Sequence, residues 1–199
     1  YGGPIYSVHG LCAALVRRGH DVEVFTTNVD GADDLDVPVG VPVIRDGVRI
    51  RYFSTGIGRR LYRSPEMKRA LVACIDEFDV VHLHSVFLWP TSMAAALARR
   101  SRVPYLIAPR GMLVADLIRR KSRLLKQTWI RLFERRNLGA AAAVHVTSSI
   151  ERDEIARLGL PVSRFANVPN GTDLPPWSVL DRQNAGFACP HRRTILALG

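Results

Sequence analysis

The chain has 199 residues, of which 47% are hydrophobic and 23% charged, with 28 lysine and arginine residues against 18 aspartate and glutamate residues. This composition excludes a disordered chain, because disorder combines low hydrophobicity with high charge. A disulfide-stabilised scaffold is also excluded, since the three cysteines are few, odd in number and scattered, as suits a reducing cytosol. The formal net charge of +10 predicts an anionic partner, and a nucleic acid, a phosphorylated substrate and a membrane surface all satisfy it.

The first third of the chain predicts a helix, a strand and a hairpin. Apolar residues at helical spacing predict a helix over residues 5–18, which Gly19 ends. The β-branched residues of segment 21–27 predict a strand. After a loop rich in Gly, Asp and Pro, the pair Asp46-Gly47 between two apolar runs predicts a β-hairpin.

The rest of the chain alternates helices with short apolar strands. The predicted helices cover residues 64–78, 90–100, 116–138 and 148–158, and the predicted strands cover residues 79–84, 103–108, 141–146 and 164–168. In the capping box Ser148-x-x-Glu151, each side chain is expected to bind the other residue's backbone N–H. The alternation predicts an α/β fold, a parallel sheet with helices on both faces, whose ligands bind in the loops at the carboxyl ends of the strands.

Two glycines, Gly2 and Gly3, directly precede the first predicted helix. They allow the backbone to approach a ligand closely, and the helix N-terminus offers unpaired N–H groups to an anion. An ordinary turn explains them equally well. They do not complete the G-x-G-x-x-G dinucleotide pattern, because Ser7, Val8 and His9 follow where another glycine is expected.

His82 and His84 lie two residues apart on a predicted strand and therefore point to the same face. A metal site needs further ligands from later strands, and only His145 lies on one, without an accompanying Asp or Glu. We therefore expect no metal site. One of the two histidines is expected to pack in the sheet, and His84 to reach a cleft as a hydrogen-bonding group.

Arg110 follows the carboxyl end of another predicted strand. A guanidinium there is suited to bidentate contact with a phosphate or carboxylate, although an ordinary surface arginine is the alternative interpretation. Serines stand in the equivalent loops after the neighbouring strands. The predicted substrate-binding residues are Gly2, Gly3, Ser85, Gly111 and Ser148.

Residues 112–138 carry eight basic and two acidic residues, so +6 of the net charge lies on this segment. Apolar residues recur there at helical spacing, with Trp129 near the stripe, which predicts a basic amphipathic helix that lies on anionic lipid. A core helix with a solvated basic face fits equally well, and a nucleic-acid helix fits less well because no recognised motif accompanies it. The residues predicted to contact the membrane or the acceptor are Arg119, Arg120, Lys121, Arg123 and Lys126.

Five motifs stand in order along the chain. They are Tyr1-Gly2-Gly3-Pro4, Arg18-Gly19-His20-Asp21-Val22, Asp79-Val80-Val81-His82-Leu83-His84, Ala108-Pro109-Arg110-Gly111-Met112-Leu113 and Val168-Pro169-Asn170-Gly171-Thr172-Asp173. Together they resemble the N-terminal domain of the retaining GT-B glycosyltransferases of family 4 (group 1). The Pro-Arg-Gly-Met-Leu run resembles the branch that builds bacterial exopolysaccharide and lipopolysaccharide.

The resemblance implies the N-terminal half of a GT-B fold. Residues 1–173 then form a Rossmann-like domain that lacks its first strand and holds mainly the acceptor. Residues 174–193 are expected to form an interdomain linker, and residues 194–199 the first strand of a truncated C-terminal domain that binds the nucleotide sugar. Asn170 and Gly171 match the interdomain hinge.

The resemblance also implies an activity: metal-independent, retaining transfer of a hexose from a nucleotide sugar to a glycan or lipid-linked saccharide, with no cofactor. The predicted catalytic residues are His84 and Arg110. His84 matches the cleft-facing histidine of the family. Many members carry a histidine where this chain has Arg110, so a catalytic histidine is not carried over there, and Arg110 is expected to neutralise the leaving diphosphate. An anionic membrane surface is an expected partner and nucleic acid is not, with a cytoplasmic location at the inner membrane face. The fragment alone is expected to be inactive. The alternative is a non-catalytic basic module that binds a membrane surface or nucleic acid.

Overall fold

The computed structural model describes residues 3–114, 118 and 123–171, and the account below refers to these. The predicted linker over 174–193 and the strand over 194–199 lie outside them. The first part of the chain forms one helix and five strands. These are α1 (Gly3–Arg17), β1 (Glu23–Thr27), β2 (Val29–Asp30), β3 (Asp33–Asp34), β4 (Pro42–Arg45) and β5 (Val48–Phe53).

The middle of the chain alternates helices and strands as its periodicity predicts. Its elements are a 3₁₀ turn (Arg59–Leu61), α2 (Pro65–Cys74), a second 3₁₀ turn (Ile75–Glu77), β6 (Val81–His84), α3 (Trp89–Ser101) and β7 (Tyr105–Ala108). The Ser64 hydroxyl caps α2 by accepting a hydrogen bond from the Met67 N–H at 3.3 Å. The helix predicted to reach residue 78 changes to 3₁₀ geometry after Cys74.

The last described part contains one long helical segment interrupted by a π turn. Its elements are α4 (Arg123–Trp129), the π turn (Ile130–Glu134), α5 (Arg135–Ala140), β8 (Ala143–Val146), α6 (Ser149–Arg157) and β9 (Phe165–Asn167). The predicted regular helix over residues 116–138 is therefore wrong in its periodicity, because a π turn inserts an extra residue into one turn and rotates the faces that follow.

The predicted α/β fold is confirmed. Strands β6, β7, β8 and β9 form a four-stranded parallel sheet in that order. In a second sheet β1 pairs parallel with β5, and β4 pairs antiparallel with β5 across the predicted hairpin. The strands of the described residues thus divide between sheets where the sequence predicts a single parallel sheet, and the hairpin adds an antiparallel edge.

The core lies between the four-stranded sheet and its helices. Strand β8 is buried along its whole length, as expected of a central parallel strand covered on both faces. Phe53 of β5 joins the same apolar cluster, and its ring stacks on Phe25 at a centroid distance of 5.5 Å. A smaller cluster forms where α1 covers β5. No helix of the described ranges is long and apolar enough to cross a membrane.

The hairpin turn is held by a glycine that no other residue replaces without cost. Asp46 and Gly47 both have left-handed backbone angles, with φ of +50° and +78°, as a two-residue primed turn requires. A Cβ on Gly47 would lie 2.8 Å from Cγ1 of Val16 on α1. The turn therefore packs directly against the helix.

We expect Gly47→Ala to lower the free energy of unfolding by roughly 2–4 kcal/mol, because left-handed strain adds to overpacking against Val16. Gly19→Ala is the matched control, since Gly19 is also left-handed, with φ of +87°, but has open space around its Cα. The control should cost only about 1–2 kcal/mol. Urea unfolding measures both, and equal costs would contradict the steric argument.

Candidate functional site at the carboxyl edge of the parallel sheet

The loops that follow β6, β7, β8 and β9 meet at one edge of the sheet, because parallel strands end on the same side. His84 ends β6, Arg110 lies just beyond β7, and Asn170 lies beyond β9. Three residues predicted from separate motifs are therefore brought into one cluster. Arg110 is the residue that joins the other two.

Arg110 binds both neighbours through its guanidinium. Its Nη1 donates to Oδ1 of Asn170 at 2.6 Å, and its Nη2 lies 3.3 Å from Nδ1 of His84. The Arg110 backbone is left-handed, with φ of +56°, and Gly111 follows at +75°. A non-glycine residue held in this conformation costs energy that the surrounding contacts must offset, which is common at functional sites.

Glu151 is the carboxylate whose charge acts on Arg110, but the two do not form an ion pair. Among the residues that the structure describes, no carboxylate lies within ion-pair distance of Arg110. Its Nε is buried and has no hydrogen-bond partner. Partial burial lowers the pKa of Arg110 from its ordinary value, while the charge of Glu151 acts in the opposite direction. Because an arginine stays protonated, the site holds a partly desolvated cation with an unfilled donor, an arrangement that favours an anionic ligand.

Three histidine rings lie next to one another beside Arg110, with adjacent rings tilted by 40°. The ring centroids of His82 and His84 are 4.2 Å apart, and those of His82 and His145 are 5.2 Å apart. His145 donates through Nε2 to the Val168 carbonyl at 2.9 Å, and its Nδ1 lies 3.2 Å from Nε2 of His82. Across the described ranges, no set of three or more His, Cys, Asp or Glu side chains is arranged to hold a metal ion.

His84 is a neutral hydrogen-bond donor in this arrangement. Burial is the main cause that lowers its pKa to about 2, and the charges of His82 and Arg110 add to it. Burial likewise lowers the pKa of His82 to about 4. Since Nδ1 of His84 faces a guanidinium that can only donate, the ring hydrogen sits on Nε2. His84 can therefore hold a hydroxyl or phosphate oxygen, but it is poorly suited to carry a proton.

Glu151 ties the Arg110 loop to the loop after β8. Its carboxylate accepts hydrogen bonds from the Gly111 N–H at 2.7 Å and from the Thr147 N–H at 2.8 Å. The Ser148 hydroxyl accepts from the Glu151 N–H at 3.2 Å, as predicted. The predicted hydrogen bond from the Ser148 N–H to the Glu151 carboxylate is wrong. That carboxylate instead binds the N–H groups of Gly111 and Thr147, which lie in two different loops. Ser148, predicted to bind substrate, uses its hydroxyl oxygen to cap α6.

Glu134 holds the loop after β6 and was not recognised in the sequence. It lies on the π turn with only 2% of its surface exposed, and Oε1 accepts from the Phe87 N–H at 3.0 Å and from the Trp129 indole at 2.9 Å. Burial raises the pKa of this carboxyl. Its hydrogen bonds with Phe87, Trp129 and Asn137 lower the pKa and only partly compensate. Ser85 and Phe87 in the same loop are left-handed, with φ of +73° and +62°. In a regular α-helix, Glu134 is expected on the solvated face with the basic residues. The π turn rotates it inward, and its burial beneath the loop after β6 follows from that turn.

The remaining predicted site residues are distributed as follows. Gly3 begins α1, Arg123 begins α4, and Gly171 is an exposed residue beyond β9. The Lys126 ammonium lies 5.8 Å from the Phe87 ring centroid, so this predicted membrane residue folds back on the loop after β6. The residues that lie outside the described ranges are Gly2, Arg119, Arg120 and Lys121.

The helical segment of residues 123–140 exposes apolar side chains. Leu124 is 80% exposed, Leu125 66% and Leu132 64%. On the other side, Asn137 and Leu138 are buried. The segment therefore contributes Leu138 to the core and also exposes apolar side chains, and its contact with a membrane stays a prediction.

Comparison with known proteins agrees with this architecture. Residues 2–171 match the family model described as a glycosyl transferase 4-like domain. The chain therefore belongs to the glycosyl transferase 4-like family, which confirms the resemblance drawn from the five motifs. The exopolysaccharide and lipopolysaccharide branch stays a prediction.

One relative is 32% identical to this chain over 106 residues: an uncharacterized glycosyltransferase of Methanocaldococcus jannaschii. The similarity covers 52% of this chain and 26% of that protein, so the chain matches about a quarter of its length.

The raised pKa of Glu134 predicts a pH-dependent stability. Relative to a Glu134→Gln variant, the wild-type free energy of unfolding should be highest below the ordinary carboxyl value of 4.5 and fall as the pH rises through the raised value. The reason is that ionisation of a buried carboxyl costs more in the folded chain than in the unfolded chain. Chemical denaturation at several pH values measures the difference. Glu77→Gln, at an exposed position, is the control, and parallel profiles for wild type and Glu134→Gln would contradict this role.

Proposed function

We propose that this chain is the acceptor-side half of a retaining glycosyltransferase. The enzyme moves a hexose from a nucleotide sugar to a glycan or lipid-linked saccharide in cell-surface polysaccharide biosynthesis. The family match over residues 2–171 and the name of the archaeal relative support a transferase. The order of the sequence motifs supports the finer assignment to polysaccharide synthesis.

The observation that carries the proposal is the Arg110 guanidinium at the carboxyl edge of the sheet, which forms no ion pair with any described residue and has a buried Nε without a hydrogen-bond partner. When a nucleotide sugar reacts, the bond between the sugar carbon and the diphosphate oxygen breaks, and negative charge develops on the diphosphate. A fixed cation in a partly desolvated place stabilises that charge more in the transition state than in the bound substrate. Arg110 supplies it without a metal, and the backbone N–H of Gly3 at the start of α1 acts in the same way.

Positioning supplies the rest of the catalysis in this proposal. The acceptor oxygen attacks on the face from which the diphosphate departs, so that configuration is retained, and its proton passes to the departing phosphate oxygen. No protein nucleophile is needed. His84, neutral and donating through Nε2, orients a sugar hydroxyl or phosphate oxygen next to Arg110.

In full-length protein, Arg110→Ala should lower kcat for sugar transfer by about 10²–10³-fold, the usual loss when one preorganised donor to developing charge is removed. Turnover with a panel of UDP-, GDP- and ADP-sugars measures it. Arg110→Lys should recover part of the loss, since it keeps the charge but not the two-pronged geometry.

Arg157→Ala is the matched control, because that arginine lies at the far end of α6 and pairs only with Glu154 on the surface. A full-length protein that turns over no nucleotide sugar but binds polynucleotide in a salt-sensitive way would favour the alternative of a non-catalytic basic module. An Arg110→Ala enzyme as fast as the parent would remove Arg110 from the mechanism.

The basic helical segment supports a second element of the proposal: peripheral contact with an anionic membrane at its inner face. Leu124, Leu125 and Leu132 are exposed on a segment rich in arginine and lysine. Exposed apolar side chains among basic residues are typical of a helix that lies in the membrane interface. Such contact brings a lipid-linked acceptor to the carboxyl edge of the sheet.

Replacing Arg119, Arg120 and Lys121 by glutamine should weaken binding to vesicles with 30% phosphatidylglycerol by roughly 100-fold at low salt, at about 1 kcal/mol for each charge. Vesicle co-sedimentation measures the loss. The triple change Arg17→Gln, Arg18→Gln and Arg45→Gln is the matched control, since it removes the same charge from exposed positions at the end of α1, in the turn after it and on β4. Equal binding by both triple variants would contradict a specific membrane face.

A further inference from the structure

A groove of about 450 Å³ lies beside the carboxyl edge and is not used by the mechanism above. It forms between the beginning of α2, which follows the loop after β5, and the beginning of α3, which follows the loop after β6. The loop after β6 leads from His84 at the strand end to this groove. The residues that line it are Arg63, Pro65, Lys68, Arg69, Val72 and Trp89.

The groove carries positive charge that the protein itself leaves largely unneutralised. Arg69 faces Glu66 at the long distance of 4.0 Å, and the Glu66 carboxylate also accepts a hydrogen bond from the Ser54 hydroxyl. Among the described residues, Arg63 reaches only the Ile57 carbonyl, at 3.5 Å. Lys68 makes no ion pair with any residue in the described ranges. Three exposed cations on one concave surface attract a ligand with negative charge.

Apolar side chains line the groove together with the cations. Trp89 packs against the main core cluster and also lines the groove from the start of α3. Pro65 and Val72, the latter 56% exposed, line it from α2, on the same helix face as Lys68 and Arg69. A flat aromatic surface next to cations fits a ligand ring that has an apolar face and a charged substituent. Small-molecule sites are typically apolar pockets with a small number of charged or polar groups.

We propose that this groove binds a saccharide bearing a phosphate or carboxylate, and that this anionic saccharide is the acceptor. The pyranose ring packs its C–H face on Trp89, and the anion contacts Lys68 and Arg63. The inference rests on the proposed glycosyl transfer, which it deepens by naming the chemical class of the acceptor. The rest of the saccharide extends along the loop after β6 towards His84.

The test uses the full chain, with glucose 1-phosphate as the probe and glucose as its uncharged counterpart, titrated by ligand-observed NMR at low salt. We expect the phosphate to bind more tightly than glucose. Lys68→Gln should weaken glucose 1-phosphate binding about tenfold, as expected for the loss of one hydrogen bond to a charged group, and leave glucose binding unchanged. Arg164→Gln is the matched control, because Arg164 is exposed at the amino end of β9, on the opposite edge of the sheet.

Trp89→Ala should weaken binding of both probes, whereas Trp89→Phe should keep most of the affinity. Lys68 is exposed on the surface of α2, so Lys68→Gln keeps the test valid if Trp89→Ala disturbs folding. Equal affinities of wild type and Lys68→Gln for glucose 1-phosphate would overturn the assignment of the anion to this groove.

The variant Arg110→Ala separates this inference from the proposed function. Probe binding that survives Arg110→Ala but is weakened by Lys68→Gln supports the groove, even if no nucleotide sugar is turned over. Probe binding that is lost in Arg110→Ala and unaffected in Lys68→Gln overturns the groove while leaving the Arg110 mechanism intact.

A final comparison distinguishes a saccharide phosphate from a lipid headgroup phosphate. If Lys68→Gln weakens binding to phosphatidylglycerol vesicles but not to glucose 1-phosphate, the groove serves the membrane and the proposed acceptor class is wrong. If it weakens binding to glucose 1-phosphate and leaves vesicle binding unchanged, the saccharide assignment is supported.

Discussion

The candidate site depends on one constraint: backbone N–H groups in the loops at the carboxyl edge need acceptors, and two carboxylates supply them. Glu134 accepts from the Phe87 N–H, and Glu151 accepts from the N–H groups of Gly111 and Thr147. A buried N–H without a partner costs about as much as a lost hydrogen bond. These carboxylates therefore hold loops whose backbones are left-handed, and those loops in turn orient Arg110.

The electrostatic character of the edge follows from this division of labour. The carboxylates face backbone N–H groups, so neither forms an ion pair with Arg110, and the neighbouring imidazoles of His82 and His84 are neutral because burial lowers their pKa. The guanidinium is then a fixed cation in a partly desolvated place. Because the neighbouring side chains are neutral, the guanidinium can interact with the charge of a ligand. This is the physical basis for the proposed stabilisation of a departing diphosphate.

The helical segment of residues 123–140 links the site to the surface. Its π turn buries Glu134 beneath the loop after β6 and leaves Leu132 exposed within the same turn. The same π turn thus places Glu134 where it holds the loop after β6 and Leu132 where it faces outward. The Lys126 side chain, over the Phe87 ring, adds a second contact between this segment and the same loop.

Much of the fold was predictable from local patterns. Alternating helical and strand periodicity predicts the parallel sheet, and Asp46-Gly47 predicts the hairpin turn. The helix predicted from residue 64 begins where α2 is capped. These signals are local, because caps and turns depend on residues only a few positions apart. The division of the described strands among three sheets depends on pairing between distant segments, and no local pattern encodes it.

The sequence by itself determined that Arg110, His84 and Asn170 follow strands whose carboxyl ends share an edge. Only the tertiary structure decided that the Arg110 guanidinium contacts both His84 and Asn170, and that Glu134 is buried. It also decided that burial lowers the pKa of His82 and His84. Each of these depends on desolvation and on contacts between residues far apart in the chain. Sequence spacing carries no information about such contacts, whereas the order of helices and strands along the chain follows directly from it.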